Sequence, residues 1–236
     1  MNHNIKIQCR SILSVFFIII AISFFVSEKT YAGVVLGNTR LIFPADSKDV
    51  TLSLKNTEKS QTFLVQSSIE NSQSEKQQSF AVTPPLFVLK PGGENKIRIF
   101  MKNTIPISAN KETLFWLSVK AIPSSERQEE GNFLQFSVTN KIKLLYRPNG
   151  LASPDESVWG KITFTHRGGV LVMHNPTPYY MNIASLKIGT VILENMTLSP
   201  NESQVVSHNT TNSDLAEVVF INDFGGESNK IKVPVT

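Results

Sequence analysis

Cysteine is almost missing from this chain: Cys9 is the only one in 236 residues. It stands just before an apolar run, Ile12 to Val26, which follows Lys6 and Arg10 and leads into Thr30-Tyr31-Ala32. A basic part, an apolar part and a small-residue end predict a secretory signal over residues 1–32, cleaved after Ala32. The run is shorter than the roughly 18–20 residues that a bilayer span requires. Cys9 precedes the run, so it is not a lipoprotein cysteine and would leave with the signal. Residues 33–236 would then enter an oxidising compartment with no disulfide, their cores held by burial alone. No other stretch is apolar enough to span a membrane.

An excess of either charge is missing as well. The formal net charge is +4, and loss of Lys6, Arg10, Lys29 and Glu28 with the signal would leave +2. That is too mild for a nucleic-acid partner drawn by bulk charge. The histidines beyond the signal, His166, His174 and His208, show no His-x-x-x-His spacing and have no cysteine to join, so no metal site is expected. There is no Gly-x-Ser-x-Gly elbow. Gly92-Gly93, Gly168-Gly169 and Gly225-Gly226 read as turn glycines and not as a phosphate cradle. The chain is expected to be neither an enzyme nor a cofactor protein.

Helical periodicity is scarce, and what remains is a period of two. Val34 to Phe43 reads as one strand ending at Pro44. Val50, Leu52 and Leu54 alternate with polar residues; Phe63, Val65 and Ile69 follow a turn; Ile97, Ile99 and Met101 follow Pro91-Gly92-Gly93; Leu114 to Ile122 forms another run. Asn71 to Ser79 and Ser124 to Gly131 read as loops. Arg147-Pro-Asn-Gly-Leu-Ala-Ser-Pro-Asp155 has linker chemistry, with two prolines and a glycine in a polar stretch. Beyond it the pattern restarts at Trp159–Thr165, Val170–His174, Tyr179–Ile188, Thr190–Leu193, Gln204–Ser207, Ala216–Asn222 and Lys230–Val235. About seven short strands on each side predict an all-β protein. It would consist of two immunoglobulin-like sandwiches at an angle, a boomerang shape with a cleft between them. The expected bounds are 33–149 and 150–236.

The most informative stretch is Asn132 to Pro148, read as one long strand. Leu134, Phe136 and Val138 lie on one face, with Gln135, Ser137 and Thr139 on the other. Such a strand can lend its edge to another polypeptide. Its second half sets Lys141 and Lys143 in an apolar run, and Arg40 stands in similar company in Thr39-Arg40-Leu41-Ile42-Phe43. A cation there must reach solvent, find a carboxylate, or cost several kcal/mol on burial. Two readings follow: cations snorkelling at a sheet edge, or a clamp that a partner's carboxylate completes.

Six motifs then occur in order: Gly33-Val-Val-Leu-Gly-Asn-Thr-Arg40, Thr83-Pro84-Pro85, Ile122-Pro123, Lys141-Ile-Lys-Leu-Leu-Tyr-Arg-Pro148, Asn175-Pro-Thr-Pro-Tyr-Tyr180 and Ile221-Asn-Asp-Phe-Gly-Gly226. Together they resemble the PapD-like periplasmic chaperones of the chaperone–usher pilus pathway, across the whole of residues 33–236. The resemblance implies a periplasmic protein that binds and folds pilus subunits by donor-strand complementation and delivers them to an outer-membrane usher. Its long strand completes the unfinished sandwich of a subunit. By position, Leu134, Phe136 and Val138 would fill the subunit's groove. Arg40 and Lys143 would bind the subunit's C-terminal carboxylate. Glu112, Arg147 and Asp223 would form an ion-pair network between the domains. A self-capping homodimer is the implied resting state, because an exposed apolar row invites association.

Lys143 lies five residues past Val138, roughly 17 Å along a strand, so a clamp there could fix the register of the inserted row. Strict alternation puts the two on opposite faces, which requires either a bulge between them or sites on different faces. The short Ser124–Gly131 loop and the lack of a cysteine pair resemble the short-loop branch, although many of its members carry a second-domain disulfide that is missing here. The alternatives are a fimbrial subunit or adhesin and a secreted immunoglobulin-like binding protein. The latter would need cysteines beside Trp116 or Trp159. Nothing explains Lys111, which stands where many relatives have arginine.

Overall fold

The computed structural model describes residues 33–75, 79–102, 107–124, 134–207 and 213–236; the predicted signal lies outside them. The first half of residues 33–236 contains β1 (Val34–Leu36), β2 (Arg40–Pro44), β3 (Asp49–Asn56), β4 (Phe63–Glu70), β5 (Phe80–Thr83), β6 (Leu86–Leu89), β7 (Glu94–Met101), β8 (Thr113–Pro123) and β9 (Val138–Arg147). They form two sheets, ordered β1-β3-β7-β5 and β2-β9-β8-β4-β6. Alternation sends Leu52 and Leu54, Ile97 and Ile99, Leu117 and Val119, and Leu144 between the sheets, all fully buried. Phe80 joins the layers, edge-on to Phe43 at 5.2 Å and to Phe115 at 4.9 Å. Each such side chain contributes about 1.5–3 kcal/mol through burial, and no cysteine is present to supplement it.

The second half contains α1 (Glu156–Trp159), β10 (Thr163–Arg167), β11 (Val170–His174), β12 (Met181–Ile188), β13 (Val191–Leu198), β14 (Ser203–Ser207), β15 (Leu215–Phe220) and β16 (Ile231–Pro234). Its sheets are β10-β11-β14 and β13-β12-β15-β16. They enclose a separate core of Phe164, Leu171, Met173, Ile183, Val218 and Phe220, with Trp159 stacked on Phe220 at 5.7 Å. The protein is thus all-β in two sandwich domains, joined by the segment between Arg147 and Glu156.

Several elements differ from the sequence reading. Val34 to Phe43 is two strands and not one. β1 pairs antiparallel with β3, whereas β2 crosses to the other sheet and runs parallel to β9. The crossing falls at Gly37, whose amide donates to the Ser53 carbonyl at 2.9 Å. A Cβ at Gly37 would meet the Ser53 hydroxyl and force it to rotate away, so glycine fits this close approach without adjustment. β5 and β6 flank Thr83-Pro84-Pro85 and were obscured by it, because prolines inside an apolar run read against a strand. Trp159 belongs to a helical turn: the Asp155 carboxylate caps it, accepting from the Ser157 and Val158 amides at 3.0 and 3.3 Å.

The stretch from Asn132 is also shorter as a strand than its alternation suggests. Asn132 and Phe133 lie outside the described residues, residues 134–137 have no regular structure, and β9 begins at Val138. The physical reason is the lack of a neighbour. Val138 pairs with Ala121 on β8, and β8 stops two residues later at Pro123, which has no amide to donate.

Candidate functional site: a free strand edge ending at two cations

β9 positions every group of the candidate site. One of its edges is hydrogen-bonded to β8 throughout, from Val138 opposite Ala121 to Tyr146 opposite Thr113, with no break in register. On its other edge β2 covers only Lys143 to Arg147. Because the chain crossed sheets at Gly37, Val138 to Ile142 have no strand beside them on that edge among the described residues, and their outward N–H and C=O groups can accept one. The Asn140 side chain reaches across to the Val34 carbonyl at 3.4 Å.

The unbroken register also decides the question of faces. Val138 shares the face of Ile142 and Leu144, which are core residues, while Lys141, Lys143 and Arg147 project from the opposite face. No bulge intervenes between them, so Val138 and the cations occupy different faces of one strand. Leu134, Phe136 and Val138 are 79%, 72% and 61% exposed. The Gln135 side chain donates to the Pro123 carbonyl.

Arg40 and Lys143 are direct partners in the parallel β2–β9 register. Arg40 is only 8% exposed, and its Nε and Nη1 have no hydrogen-bond partner among the described residues. Burial lowers its pKa, and Asp223 pulls in the other direction. Lys143 Nζ donates to Asn182 Oδ1 at 2.6 Å and to Thr197 Oγ1. Burial, and then the charge of Arg40, brings its pKa down to about 8. Two adjacent cations with unpaired donors are chemically suited to an anion. A carboxylate, which accepts bidentate hydrogen bonds from a guanidinium, fits the donors on offer. A cleft of about 480 Å³ opens beside Arg40, lined also by Ile42, Leu151, Asp223 and Phe224.

Glu112, Arg147 and Asp223 come together across the domain boundary. Arg147 Nε donates to Glu112 Oε1 at 2.8 Å, and its Nη1 and Nη2 donate to both oxygens of Asp223 at 2.7 and 2.9 Å. The other Glu112 oxygen accepts the Tyr180 amide at 2.8 Å. The Tyr179 ring lies 5.7 Å from the guanidinium. Burial pushes the Glu112 pKa up, against the pull of Arg147 and the Tyr180 amide. At Asp223 burial acts the same way but is outweighed by Arg147, so its pKa falls below the usual value. At Arg147 the two carboxylates outweigh burial and hold the guanidinium charged.

Two family models match this chain: the N-terminal domain of the PapD pili and flagellar-assembly chaperone over residues 33–152, and the PapD C-terminal domain over residues 157–232. The chain belongs to the PapD family of pilus-assembly chaperones. Among its relatives, the Escherichia coli chaperone protein FocC is 40% identical over 212 residues, covering 89% of this chain and 93% of FocC. Chaperone protein FimC of Escherichia coli K12 is 38% identical over 216 residues, covering 91% and 89%. Among solved structures, the periplasmic chaperone SfaE superposes with a TM-score of 0.74 at 36% identity over 86% of this chain and all of SfaE. A Salmonella enterica structure of the SafA pilin in complex with the SafB chaperone matches with a TM-score of 0.77 at 30% identity, covering 88% of this chain and 98% of the matched one.

Membership of a pilus-chaperone family sets aside the fimbrial subunit, the adhesin and the secreted binding protein, and it is not an enzyme family. Within this family member, the Asn175-Pro-Thr motif has a structural task. Asn175 is fully buried; its Nδ2 donates to the Tyr179 and Ser199 carbonyls at 2.7 and 2.9 Å, and its Oδ1 accepts from the Thr177 amide at 3.0 Å. Gly225, with φ of +87°, brings the Asn222–Gly226 loop against Thr39, where a Cβ would collide with that side chain. Asn182 and Thr197, the partners of Lys143, escaped the sequence reading. Both are neutral residues in strands, and nothing in their spacing ties them to β9; the only signal is that Asn182 stands two residues past Tyr180, the end of a family motif.

Proposed function

We propose that this chaperone captures pilus (fimbrial) subunits in the periplasm, completes their fold by donor-strand complementation, and delivers them to an outer-membrane usher. The observation that carries this reading is the free edge of β9 from Val138 to Ile142. It is flanked by the exposed Leu134, Phe136 and Val138 and ends where Arg40 and Lys143 offer unused donors. A subunit strand beside β9 would satisfy that edge, the three apolar side chains would fill the subunit's open core, and the subunit's C-terminal carboxylate would sit on the cation pair. Residues 33–149 would lend the strand, residues 150–236 would close the cleft, and residues 1–32 would direct export as a cleaved signal. The Glu112–Arg147–Asp223 network would set the angle between the domains. The brevity of the sequence from Ser124 to Gly131, of which residues 125–131 lie outside the described ones, supports the short-loop branch. A second copy would cap the exposed row at rest in a homodimer.

Co-expression with pilus subunits, followed by purification from the periplasm, tests the reading. Wild type is expected to bring down a subunit in equimolar amount. Phe136→Asp should lower recovery more than tenfold, because a buried phenylalanine is worth about 1.5–3 kcal/mol and a buried charge adds further cost. The free variant should remain folded, since Phe136 is solvent-exposed. Undiminished recovery with Phe136→Asp would refute the donor-strand assignment.

A further inference from the structure

The cation pair belongs to two domains. Arg40 and Lys143 are both first-domain residues, but the ammonium of Lys143 is held entirely by second-domain side chains: Asn182 on β12 and Thr197 on β13. An ammonium has three N–H donors and no acceptor. Two go to Asn182 Oδ1 and Thr197 Oγ1, and the third has no protein partner among the described residues. Nε and Nη1 of Arg40, the register partner of Lys143 on β2, are likewise unpaired among the described residues.

Asn182 is suited to holding a cation in place. It is 6% exposed. Its Nδ2 donates to the Tyr180 carbonyl at 3.4 Å, and since a lysine can only donate, the amide oxygen must face Lys143. Tyr180 is in turn fixed, its amide donating to Glu112 Oε2 at 2.8 Å, with Glu112 Oε1 on Arg147. An unbroken chain of contacts therefore runs from the interdomain ion network through Tyr180 and Asn182 to the clamp lysine. A neutral amide is also the right chemistry. An aspartate at this position would place a resident carboxylate against Lys143 and compete with an incoming one.

We infer that Asn182, assisted by Thr197, is the positioning residue of the carboxylate clamp: it orients the Lys143 ammonium from the second domain so that one N–H, together with Arg40, is aimed at a partner's C-terminal carboxylate. This rests on the clamp reading above. It makes carboxylate recognition a property of the assembled two-domain protein.

The test is binding of a synthetic peptide of about twelve residues, copied from the C-terminus of a co-purified subunit, as the free acid and as the C-terminal amide. The intact protein is used throughout. Wild type should prefer the acid by about 30-fold. Asn182→Asp should cut that preference at least about tenfold and raise the Lys143 pKa, read from the NMR titration of its Cε. Asn182→Ser, which restores a short acceptor, should recover part of the preference. Should Asn182→Asp fail to fold, Asn182→Ala carries the test, with a fall of about fivefold or more in the acid-to-amide ratio expected. An unchanged ratio in either folded variant would overturn the inference. Arg40→Ala serves as the reference. If it too leaves the ratio unchanged, the clamp reading itself falls; if it abolishes the preference while the Asn182 variants keep it, only the positioning role is lost.

Discussion

Lys143→Ala and Arg40→Ala are each expected to abolish subunit capture while the free protein stays folded. Each removes one charged partner of a desolvated, hydrogen-bonded carboxylate. Such a loss costs about 2–5 kcal/mol in a protein complex, or at least about 30-fold in affinity. The free protein has the opposite interest in these residues. Arg40 and Lys143 lie side by side with like charge and partial burial, and Arg40 has two buried donors unsatisfied. Removing Lys143 relieves that repulsion but strips Asn182 Oδ1 and Thr197 Oγ1 of a donor. These terms offset one another, so the unfolding free energy should change by no more than about 1 kcal/mol. Periplasmic co-purification and urea unfolding of the same variant separate the two effects. Wild-type recovery of a subunit with Lys143→Ala would refute the clamp. A folded variant that recovers none would leave the clamp as the cause.

The same lysine gives the site a pH dependence with two signs. Its pKa in the folded protein is about 8, against 10.5 for an ordinary lysine. Below about pH 8 the ammonium is charged and the clamp complete. As pH rises past 8 the free protein loses that charge, and peptide-acid affinity should fall by up to about tenfold per unit, while Arg40 remains charged. Stability moves the other way. Between about pH 8 and 10.5 the unfolded chain binds more protons than the folded one at this position, so this group's contribution to unfolding free energy rises with pH. The free-acid peptide titrated from pH 6 to 9.5 should show the decline and the amide should not. Equal profiles would mean that Lys143 takes no part.

The domain architecture was readable because burial in a sandwich writes a period of two into sequence, and Pro-Asn-Gly between two such blocks marks a joint. The strand edges were readable only in part. That an apolar row leads into β9 was visible from Leu134, Phe136 and Val138, but the freedom of its edge depends on the chain changing sheets between β1 and β2. That crossing coincides with a close approach of Gly37 to Ser53 and leaves no trace in periodicity. Arg40 and Lys143 announced themselves as charges among apolar neighbours, whereas their adjacency comes from a parallel pairing across about a hundred residues of chain. Asn182 was invisible for a different reason. A neutral amide in a strand has many uses, and only a contact from another domain distinguishes this one. Glu112, Arg147 and Asp223 were named by resemblance alone; nothing in their spacing would bring them together.

Arg147→Ala is the substitution expected to damage the free protein most. The guanidinium donates to both carboxylates from a buried position, and the side chains of Arg147 and Glu112 are 7% and 1% exposed. Without Arg147, Glu112 keeps only the Tyr180 amide and Asp223 loses both guanidinium donors and keeps the Ser153 hydroxyl, while the geometry still confines both. Stranding a buried partner in this way costs about 3–5 kcal/mol, a large share of the roughly 5–15 kcal/mol that holds a typical domain together. With no disulfide to hold either sandwich, the loss should appear in full as a lower urea midpoint. The paired variant Glu112→Gln with Arg147→Met should be less damaged than Arg147→Ala, because it removes the stranded charge along with its partner. Subunit capture should fall in Arg147→Ala even below its urea midpoint, since the Glu112–Tyr180–Asn182 contacts that place Lys143 begin at this guanidinium. A shift in unfolding free energy below about 1 kcal/mol, with capture intact, would show the network to be incidental to both stability and clamp geometry.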